Sequence, residues 1–386
     1  MSHDIDTIKP TEEMPKKAPK STASSGSSPR KLLARGKGWF VRWLQKGFWQ
    51  KALAVLVALV IVSLTGMFAI AQWYYAKHRA EPVRMGATFI PDYALQLGVD
   101  PDETLDAIIN DLGVKHLRLV SYWENGEMVQ GTYDFAFLDK QMDKAAEADV
   151  KVSLAIGLRQ PRWPECHMPA WAAKLPIGEW EPRLLDYISA VVERYRNHPA
   201  LDSWQLENEF FLKAFGDCPD HSRDRLVNEF NRVKQLDPDT TLVVSMSNNA
   251  IGTPIGQPTP DEWAISVYKR VWDQTLTKRY FEYPIPAWYY AFRAGFTEIT
   301  RGHNSFIHEL QAEAWLPPSY TMQTAPIDEF YKSLNPERLQ HRFRYAQATG
   351  MKKIDLWGAE WWYYMKVRRN APELWNVAKQ EYGRVQ

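Results

Sequence analysis

Short apolar runs alternate with longer amphipathic stretches from about residue 80 to the end of the chain. Eight of the runs have the length and apolar content of buried β-strands. They are Val83–Phe89, Val114–Ser121, Lys151–Leu158, Leu201–Leu206, Thr241–Ser247, Trp263–Tyr268, Ser305–Glu309 and Lys353–Trp357. The stretches between them, such as "EPRLLDYISAVVERYRNH", have apolar residues at helical spacing, although "KRYFEYPIPAWYYAFRAG" in the sixth unit fits poorly. Strand followed by helix, repeated eight times, predicts an α/β fold, the (β/α)8 barrel.

A different pattern precedes the barrel. Residues 1–29 are polar and end in "STASSGSSP", with too little apolar surface to offset the entropy of ordering. Basic residues then lead into an uncharged run of twenty residues, Ala52 to Ala71, which is long enough to span a bilayer as a helix. The basic flank predicts that the N-terminus stays in the cytoplasm. The predicted segments are a disordered basic cytoplasmic tail (1–50), a transmembrane signal anchor (51–73) and an extracytoplasmic barrel (80–386).

Two other interpretations of the apolar run stay open. Ala69-Ile70-Ala71 has the small-residue spacing of a signal-peptidase site, but fifty preceding residues are long for a signal peptide. A buried core helix is the other alternative, although no polar face interrupts the run. Trp73 and its two tyrosine neighbours follow where an interfacial aromatic belt belongs. The pattern therefore favours an uncleaved anchor in the cytoplasmic membrane.

Charge and composition narrow the classes of partner. The formal net charge is only +1, and the basic residues concentrate in the N-terminal segment, so a nucleic-acid-binding face is not expected. Aromatic residues make up 13% of the chain, and flat aromatic rings suit both protein cores and the C–H faces of sugars. Cys166 and His167 adjoin each other, but no paired metal-ligand spacing accompanies them. The sequence therefore predicts neither a metal site nor another cofactor.

Two predicted strands end in carboxylates. The fourth strand runs into "LENEFF", which places Glu207 and Glu209 on either side of Asn208, and the seventh ends at Glu309. Residues at the C-terminal ends of barrel strands face the active site. Glu209 and Glu309 are 100 residues apart, which is close to three average βα repeats. The spacing predicts that both carboxylates line one cleft.

The same two stretches resemble a known group of enzymes. "HPALDSWQLENE" resembles the fourth strand of clan A glycoside hydrolases, and "NSFIHELQAEAW" resembles their seventh, in the general style of families 5 and 42. The resemblance implies a retaining hydrolase that cleaves a β-linked oligo- or polysaccharide with two carboxyl groups and no cofactor. It implies Glu209 as the acid, Glu309 as the nucleophile, and Asn208 as a hydrogen-bonding partner of the sugar 2-hydroxyl.

Each catalytic assignment has a rival. Glu207 lies two residues before Glu209 and would point to the same side if the strand continued. Glu313 lies four residues beyond Glu309, past the expected strand end, where contact with substrate or an arginine is the favoured role. A structural ion pair could account for any single one of these acids.

Further candidates lie at other strand ends and in one loop. By resemblance, Arg118 and Tyr268 would steady the nucleophile, with a buried ion pair and a core tyrosine as their structural alternatives. Trp357 would lie under the sugar at the cleavage point, and Trp361 and Trp362 would either extend that platform or belong to the core. Trp163 and Trp171, in the Pro-rich loop "RQPRWPECHMPAW", are candidates for stacking on substrate.

The two cysteines could be paired or separate. Cys166 and Cys218 lie in the loops after strands three and four, which are neighbours in a barrel, so an oxidising compartment would allow a disulfide; two separate thiols are the alternative.

The activity also has alternatives. A barrel that only binds glycan and an anchored transglycosylase with the same carboxylates are the alternatives to a hydrolase.

Overall fold

The computed structural model describes residues 47–248 and 253–385. Its strands are β1 (Arg84–Thr88), β2 (His116–Val120), β3 (Lys151–Ile156), β4 (Leu201–Leu206), β5 (Thr241–Met246), β6 (Glu262–Val267), β7 (Arg270–Trp272), β8 (Tyr280–Glu282), β9 (Asn304–Gln311) and β10 (Lys353–Trp357). Eight of these pair in parallel and close in the order β1-β10-β9-β6-β5-β4-β3-β2. The predicted (β/α)8 barrel is confirmed.

Helices surround the barrel. They are α1 (Phe48–His78), α2 (Pro91–Leu97), α3 (Pro101–Asp106, followed by a π-turn, Ala107–Asp111), α4 (Trp123–Gly126), α5 (Ala136–Glu147), α6 (Ile177–Tyr195), α7 (Arg223–Leu236), α8 (Ala287–Arg301), α9 (Ile327–Ser333), α10 (Pro336–Gln347), α11 (Ala359–Arg368) and α12 (Glu373–Val385); a 3-10 turn spans Ala172–Lys174. Helix α6 shows why they form. Its buried positions include Leu184, Ile188 and Val191, at spacings of three and four, so one stripe faces the barrel.

Strand burial explains the apolar runs in the sequence. Every residue of β2 is buried, because a barrel strand has the interior on one face and helices on the other. The polar residues among them are therefore informative. Arg118 on β2, Gln205 on β4 and His308 on β9 are each nearly inaccessible to solvent.

The sixth repeat contains an insertion. Between β6 and α8 the chain forms an antiparallel hairpin, in which Arg270 pairs with Glu282 and Trp272 with Tyr280. The helix that follows begins at Ala287, after Pro284 and Pro286. The hairpin explains why this stretch fits a simple strand-helix repeat poorly.

Helix α1 contains the predicted membrane span. It runs for 31 residues and is the one helix in the described residues that is long and apolar enough to cross a membrane. The most apolar window of the helix is unburied, which argues against the core-helix alternative. The chain divides between Ser63 and Leu64 into two compact units, the second of which contains the barrel. The predicted tail lies mostly outside the described residues.

Candidate active site

A cleft of about 500 Å³ opens at the C-terminal ends of the barrel strands. This volume lies within the range of small-molecule sites. Asn208, Glu209, Glu309 and Glu313, all singled out from the sequence, line it together with Tyr268 and Trp357. The structure therefore brings most of the predicted site residues together.

Glu309 is held from two sides. Arg118 Nη1 donates to its Oε1 at 2.8 Å, and the Tyr268 hydroxyl donates to its Oε2 at 2.9 Å. Both oxygens thus accept hydrogen bonds that suit an ionised carboxylate. Burial, and then the charge of Glu309, raise the pKa of Tyr268 well above its usual value, so this hydroxyl keeps its proton to donate. Strand β9 continues two residues beyond Glu309, to Gln311, which is a correction to the predicted strand end.

Arg118 connects three strands below the cleft. Besides Glu309 on β9, its guanidinium donates to Gln205 Oε1 at 2.6 Å and to Asn208 Oδ1 at 2.8 Å. The arginine is fully buried, and all these partners lie near the ends of β4 and β9. One cation therefore fixes both the nucleophile candidate and the amide beside the acid candidate.

The chain after β4 turns sharply. Strand β4 ends at Leu206, and both Glu207 and Glu209 have positive φ angles, 54° and 43°. Non-glycine residues rarely adopt this conformation, which costs of the order of 1 kcal/mol or more for each residue. The Glu209 amide donates to Ser245 Oγ at 2.8 Å on β5, which helps to hold the turn.

Glu209 lies in a setting that favours its protonated form. Its exposed fraction is 8%. Burial, and then the charge of Glu309, raise the pKa of Glu209 to about 8, although a hydrogen bond from Ser266 acts in the opposite direction. Near neutral pH, therefore, the Glu209 carboxyl group keeps its proton beside Glu309.

Glu207 has a different environment, because the strand does not continue through it. Its carboxylate accepts hydrogen bonds from the Leu158 amide at 2.6 Å and from Arg225 Nη1 at 2.9 Å, and its side chain is fully buried. It is not among the residues that line the cleft. Glu207 is therefore a structural anchor for the loop after β3, and the strand geometry under which it would be the acid does not occur.

Glu313 belongs to a stacked cluster on the cleft wall. Arg162 Nη2 donates to its Oε2 at 2.9 Å, and the Tyr93 hydroxyl donates to its Oε1 at 2.7 Å. The Arg162 guanidinium lies 3.2 Å from the centroid of the Tyr93 ring and 4.5 Å from that of Trp357. Trp357 therefore lines the cleft with the Arg162 cation as a neighbour, and Glu313 is already paired with that arginine.

Arg162 and Glu165 are site residues that were not predicted from the sequence. Both lie in the loop after β3 with positive φ angles, 83° and 74°, and both line the cleft. Asn208 Nδ2 donates to Glu165 Oε2 at 3.1 Å. Burial raises the pKa of Glu165 to about 7, although Arg159 opposes the shift. Charged residues that directly follow the two prolines of "RQPRWPEC" were the signal available in the sequence.

The remaining tryptophans separate into two groups. Trp163 is exposed on the cleft wall, with its ring edge-on to Phe215 at 5.9 Å. Trp171 is not among the residues that line the cleft, so the structure does not support its predicted stacking role. Its indole packs edge-on against Trp123 and donates to the Glu127 carbonyl at 2.8 Å. Two further rings, of Trp361 and Trp362, are fully buried and belong to the core.

A disulfide joins Cys166 and Cys218, whose Cα atoms are 5.2 Å apart. It links the loop after β3 to the loop after β4. Glu165 immediately precedes Cys166. Arg159, in the loop after β3, donates from Nη1 to the Phe215 carbonyl, in the loop after β4, at 2.7 Å. The disulfide thus braces the wall of the cleft that carries Glu165.

Solved glycosidase structures superpose on this barrel. A glycoside hydrolase family 5 (subfamily 18) variant from Streptomyces cattleya, in complex with Manβ1-4GlcNAc, does so with a TM-score of 0.52 at 15% identity, over 72% of this chain and 71% of that one. The family 10 endo-β-1,4-xylanase from Gloeophyllum trabeum also gives 0.52, at 13% identity, over 78% and 97%. The chain shares the barrel fold of these glycosidases. At such identities the likeness establishes the fold and not the substrate.

Curated proteins with similar sequence are β-galactosidases. The match to β-galactosidase LacZ of Heyndrickxia coagulans is 28% identical over 128 residues, which is 27% of this chain and 18% of that one. A β-galactosidase from an Arthrobacter species is 34% identical over 108 residues, 22% of this chain and 15% of its own. The chain thus spans less than a fifth of the length of either relative. No family model matches the chain.

Proposed function

We propose that this chain is a membrane-anchored, retaining glycoside hydrolase that acts on a β-linked glycan outside the cytoplasmic membrane. The observation that carries the proposal is the contrast between two carboxyl groups in one cleft. Glu309 binds a buried arginine and a tyrosine hydroxyl, whereas burial raises the pKa of Glu209 to about 8. A retaining glycosidase needs one ionised nucleophile and one protonated acid in this way.

The two groups have complementary roles. Glu209 gives its proton to the departing glycosidic oxygen while a Glu309 oxygen attacks the anomeric carbon, so that the C–O bond to the leaving group breaks as the bond to the enzyme forms. Glu209, now ionised, then takes a proton from water, and that water displaces Glu309. Asn208, oriented by Arg118 and Glu165, immediately precedes Glu209 in the sequence and is the proposed partner of the sugar 2-hydroxyl.

Similar proteins support the reaction class. Both curated relatives cleave β-galactosides by name, and both superposed structures have names or ligands that concern β-linked sugars. The aromatic wall suits a sugar ring, since Trp163, Trp315 and Trp357 all line the cleft. We therefore assign a β-glycoside as substrate class.

The anchor is the second part of the proposal. Helix α1 is long and apolar enough to span a bilayer, and the basic residues before it favour a cytoplasmic N-terminus. Protease added to intact spheroplasts should degrade the barrel and leave a small protected N-terminal fragment. Protection of the barrel would contradict this topology, and a soluble chain that begins after Ala71 would indicate a cleaved signal peptide instead.

Rescue by a small anion tests the two roles separately. Glu309→Ala should lose turnover, and added azide should restore part of it with inverted product, because the anion attacks from the vacated face. Glu209→Ala should retain activity on substrates with good leaving groups, and azide should then give a product of retained configuration by attack on the glycosyl-enzyme.

Glu313→Ala is the matched control, since Glu313 lines the same cleft but is paired with Arg162. Azide rescue in that variant would move the nucleophile to Glu313. The same product configuration from Glu309→Ala and Glu209→Ala would overturn both assignments. Measuring products by NMR with and without an acceptor sugar also separates hydrolysis from transglycosylation.

A further inference from the structure

Glu165 is a buried carboxyl group on the cleft wall, outside the catalytic pair. It is only 4% exposed. Its ion pair with Arg159 is long, since 3.6 Å separates Arg159 Nη2 from Glu165 Oε2, which is too far for a hydrogen bond. Glu207 shows a structural pair in the same fold, because Arg225 Nη1 donates to it at 2.9 Å. Burying a carboxyl group without such a partner is costly, so the fold alone does not explain Glu165.

The position of Glu165 is fixed by its surroundings. Its amide donates to the Arg162 carbonyl at 2.8 Å, and its carbonyl accepts from the Gln160 amide at 2.7 Å. The disulfide at Cys166 ties the next residue to the loop after β4. In that loop, a Cβ atom at Gly216 would lie 2.9 Å from Glu165 Cβ, so a glycine is needed for such close packing. A group that reads a substrate requires this kind of rigid support.

The Asn208 amide beside Glu165 can be oriented from its partners. Arg118 Nη2 donates to one end of the amide at 2.8 Å, and since an arginine has only donors, this end is the oxygen, Oδ1. The other end, Nδ2, then faces Glu165 Oε2 at 3.1 Å. An amide nitrogen carries two protons, and Glu165 accepts one of them. The second proton is the one that can be donated to the sugar 2-hydroxyl.

A 2-hydroxyl group bound to Asn208 would still need an acceptor for its own proton. A hydroxyl group left with an unpaired proton in a buried site loses binding energy. Because Asn208 Nδ2 and Glu165 Oε2 are 3.1 Å apart, a hydroxyl oxygen within hydrogen-bond distance of Asn208 also lies close to the Glu165 carboxyl group. Glu165 is near the catalytic pair as well: after burial and Glu309, its charge adds to the causes that raise the pKa of Glu209.

We propose that the Glu165 carboxyl group accepts a hydrogen bond from the sugar 2-hydroxyl, while Asn208 donates to the oxygen of the same hydroxyl. This inference rests on the proposed function and narrows its substrate class to β-glycosides with a free hydroxyl at C2 of the sugar that forms the glycosyl-enzyme. Hydrogen bonds to this hydroxyl strengthen in the transition state, as positive charge develops at the anomeric carbon. Glu165 is thus a specificity-determining residue whose contact accelerates the reaction.

Deoxy substrates test the contact, since each lacks one hydroxyl group. The probes are p-nitrophenyl β-galactoside, β-glucoside and β-mannoside, of which the best wild-type substrate is chosen as the parent, and the 2-deoxy and 3-deoxy counterparts of that parent. For each enzyme, kcat/KM of the parent is divided by kcat/KM of the deoxy compound. Because both substrates meet the same preparation of the full chain, any loss of folded protein cancels from the ratio.

Glu165→Ala should lower the 2-deoxy ratio on the order of 10- to 100-fold, the effect of one hydrogen bond to a charged group, and should leave the 3-deoxy ratio unchanged. Glu165→Gln keeps an accepting oxygen and should fall between Glu165→Ala and wild type. Glu313→Gln is the matched control, because Glu313 lines the same cleft and is similarly buried, at 7% exposed, but is paired with Arg162. Its 2-deoxy ratio should equal that of wild type.

The Asn208→Ala background separates direct contact from an effect through Asn208. In that background Glu165→Ala should lower the 2-deoxy ratio further, because the carboxyl group touches the hydroxyl itself. No further fall would show that Glu165 only orients Asn208, which overturns the proposal.

Three other results would also overturn it. An unchanged 2-deoxy ratio in Glu165→Ala would show a purely structural role, and a fall confined to the 3-deoxy ratio would place Glu165 at a different hydroxyl. An equal fall in Glu313→Gln would show that any lost charge in the cleft has this effect. Absence of hydrolysis of all the parent glycosides by wild type would instead contradict the proposed function.

Discussion

Replacing Glu209 with glutamine removes a carboxyl group that the folded protein holds in an unfavourable environment. Burial, and then the charge of Glu309, raise the pKa of Glu209 from 4.5 to about 8. Between these two pH values the unfolded chain has already lost the proton that the folded chain keeps, so the stability of the wild-type protein falls as pH rises through this window. Glu209→Gln has no titrating group at this position, so its stability does not fall for this reason.

The size of the effect follows from the shift. Each pKa unit corresponds to about 1.4 kcal/mol, so the destabilisation from Glu209 approaches about 5 kcal/mol above pH 8 and is on the order of 3 kcal/mol at pH 7. Below pH 4.5 both states are protonated and the effect vanishes. Glu209→Gln should therefore be inactive toward unactivated substrates and yet more stable than wild type at neutral and alkaline pH.

Glu207→Gln is a matched control two residues away. It makes the same chemical change, but Glu207 is paired with Arg225 and accepts two backbone amides, so the change should destabilise the fold by at least about 1 kcal/mol. The free energies of unfolding of both variants can be measured by urea unfolding of the detergent-solubilised full chain, followed by tryptophan fluorescence at pH 5, 7 and 9. A Glu209→Gln difference that is absent at pH 9, or that does not change with pH, would refute the reasoning.

Three further outcomes are expected. The basic limb of kcat/KM should lie near pH 8 for substrates with poor leaving groups, because Glu209 must be protonated, and should weaken for activated aryl glycosides. Tyr268→Phe should lower kcat on the order of 10- to 100-fold, the cost of one hydrogen bond to the charged Glu309, as steady-state kinetics can show. Alkylation of native protein should add no mass at Cys166 or Cys218, and alkylation after reduction should add two labels; two labels without reduction would contradict the disulfide.

The barrel could be predicted because its determinants are local. A strand buried on both faces must be a short apolar run, and such runs locate all eight barrel strands within a few residues. Glu209 and Glu309 could be found because chemistry at barrel strand ends recurs at predictable intervals. Gln205 carries a similar signal, a polar residue within an apolar strand, but it was not among the predicted residues.

Other parts of the site depend on contacts that the sequence does not display. Glu209 faces the cleft and Glu207 does not, because both residues have left-handed backbone conformations and because Arg225, on α7, pairs with Glu207. Arg162 stacks on Tyr93 and Trp357, which are far from it in the sequence and are brought close by the closed barrel. The partners of Trp171 were equally hidden: its indole packs against Trp123 and donates to the Glu127 carbonyl, which does not support the predicted stacking role.

The packing of the last turns of α1 against α8 shortens the part of the chain that could act as a tether between the barrel and the proposed anchor. Only twelve residues separate Ala71 from Arg84, the first residue of β1, and α1 continues as helix through His78. A flexible tether of that length would let the catalytic domain wander about 20 Å from its attachment point. Because Phe68 packs on Trp288 and His78 bonds to Glu298, residues 68–78 are not available as a flexible tether, so on the proposed topology the enzyme reaches only a thin layer next to the lipid. On that topology, more distant glycan strands must approach the membrane before they can be cleaved. The rate of encounter between enzyme and glycan is then set by lateral diffusion of the anchor.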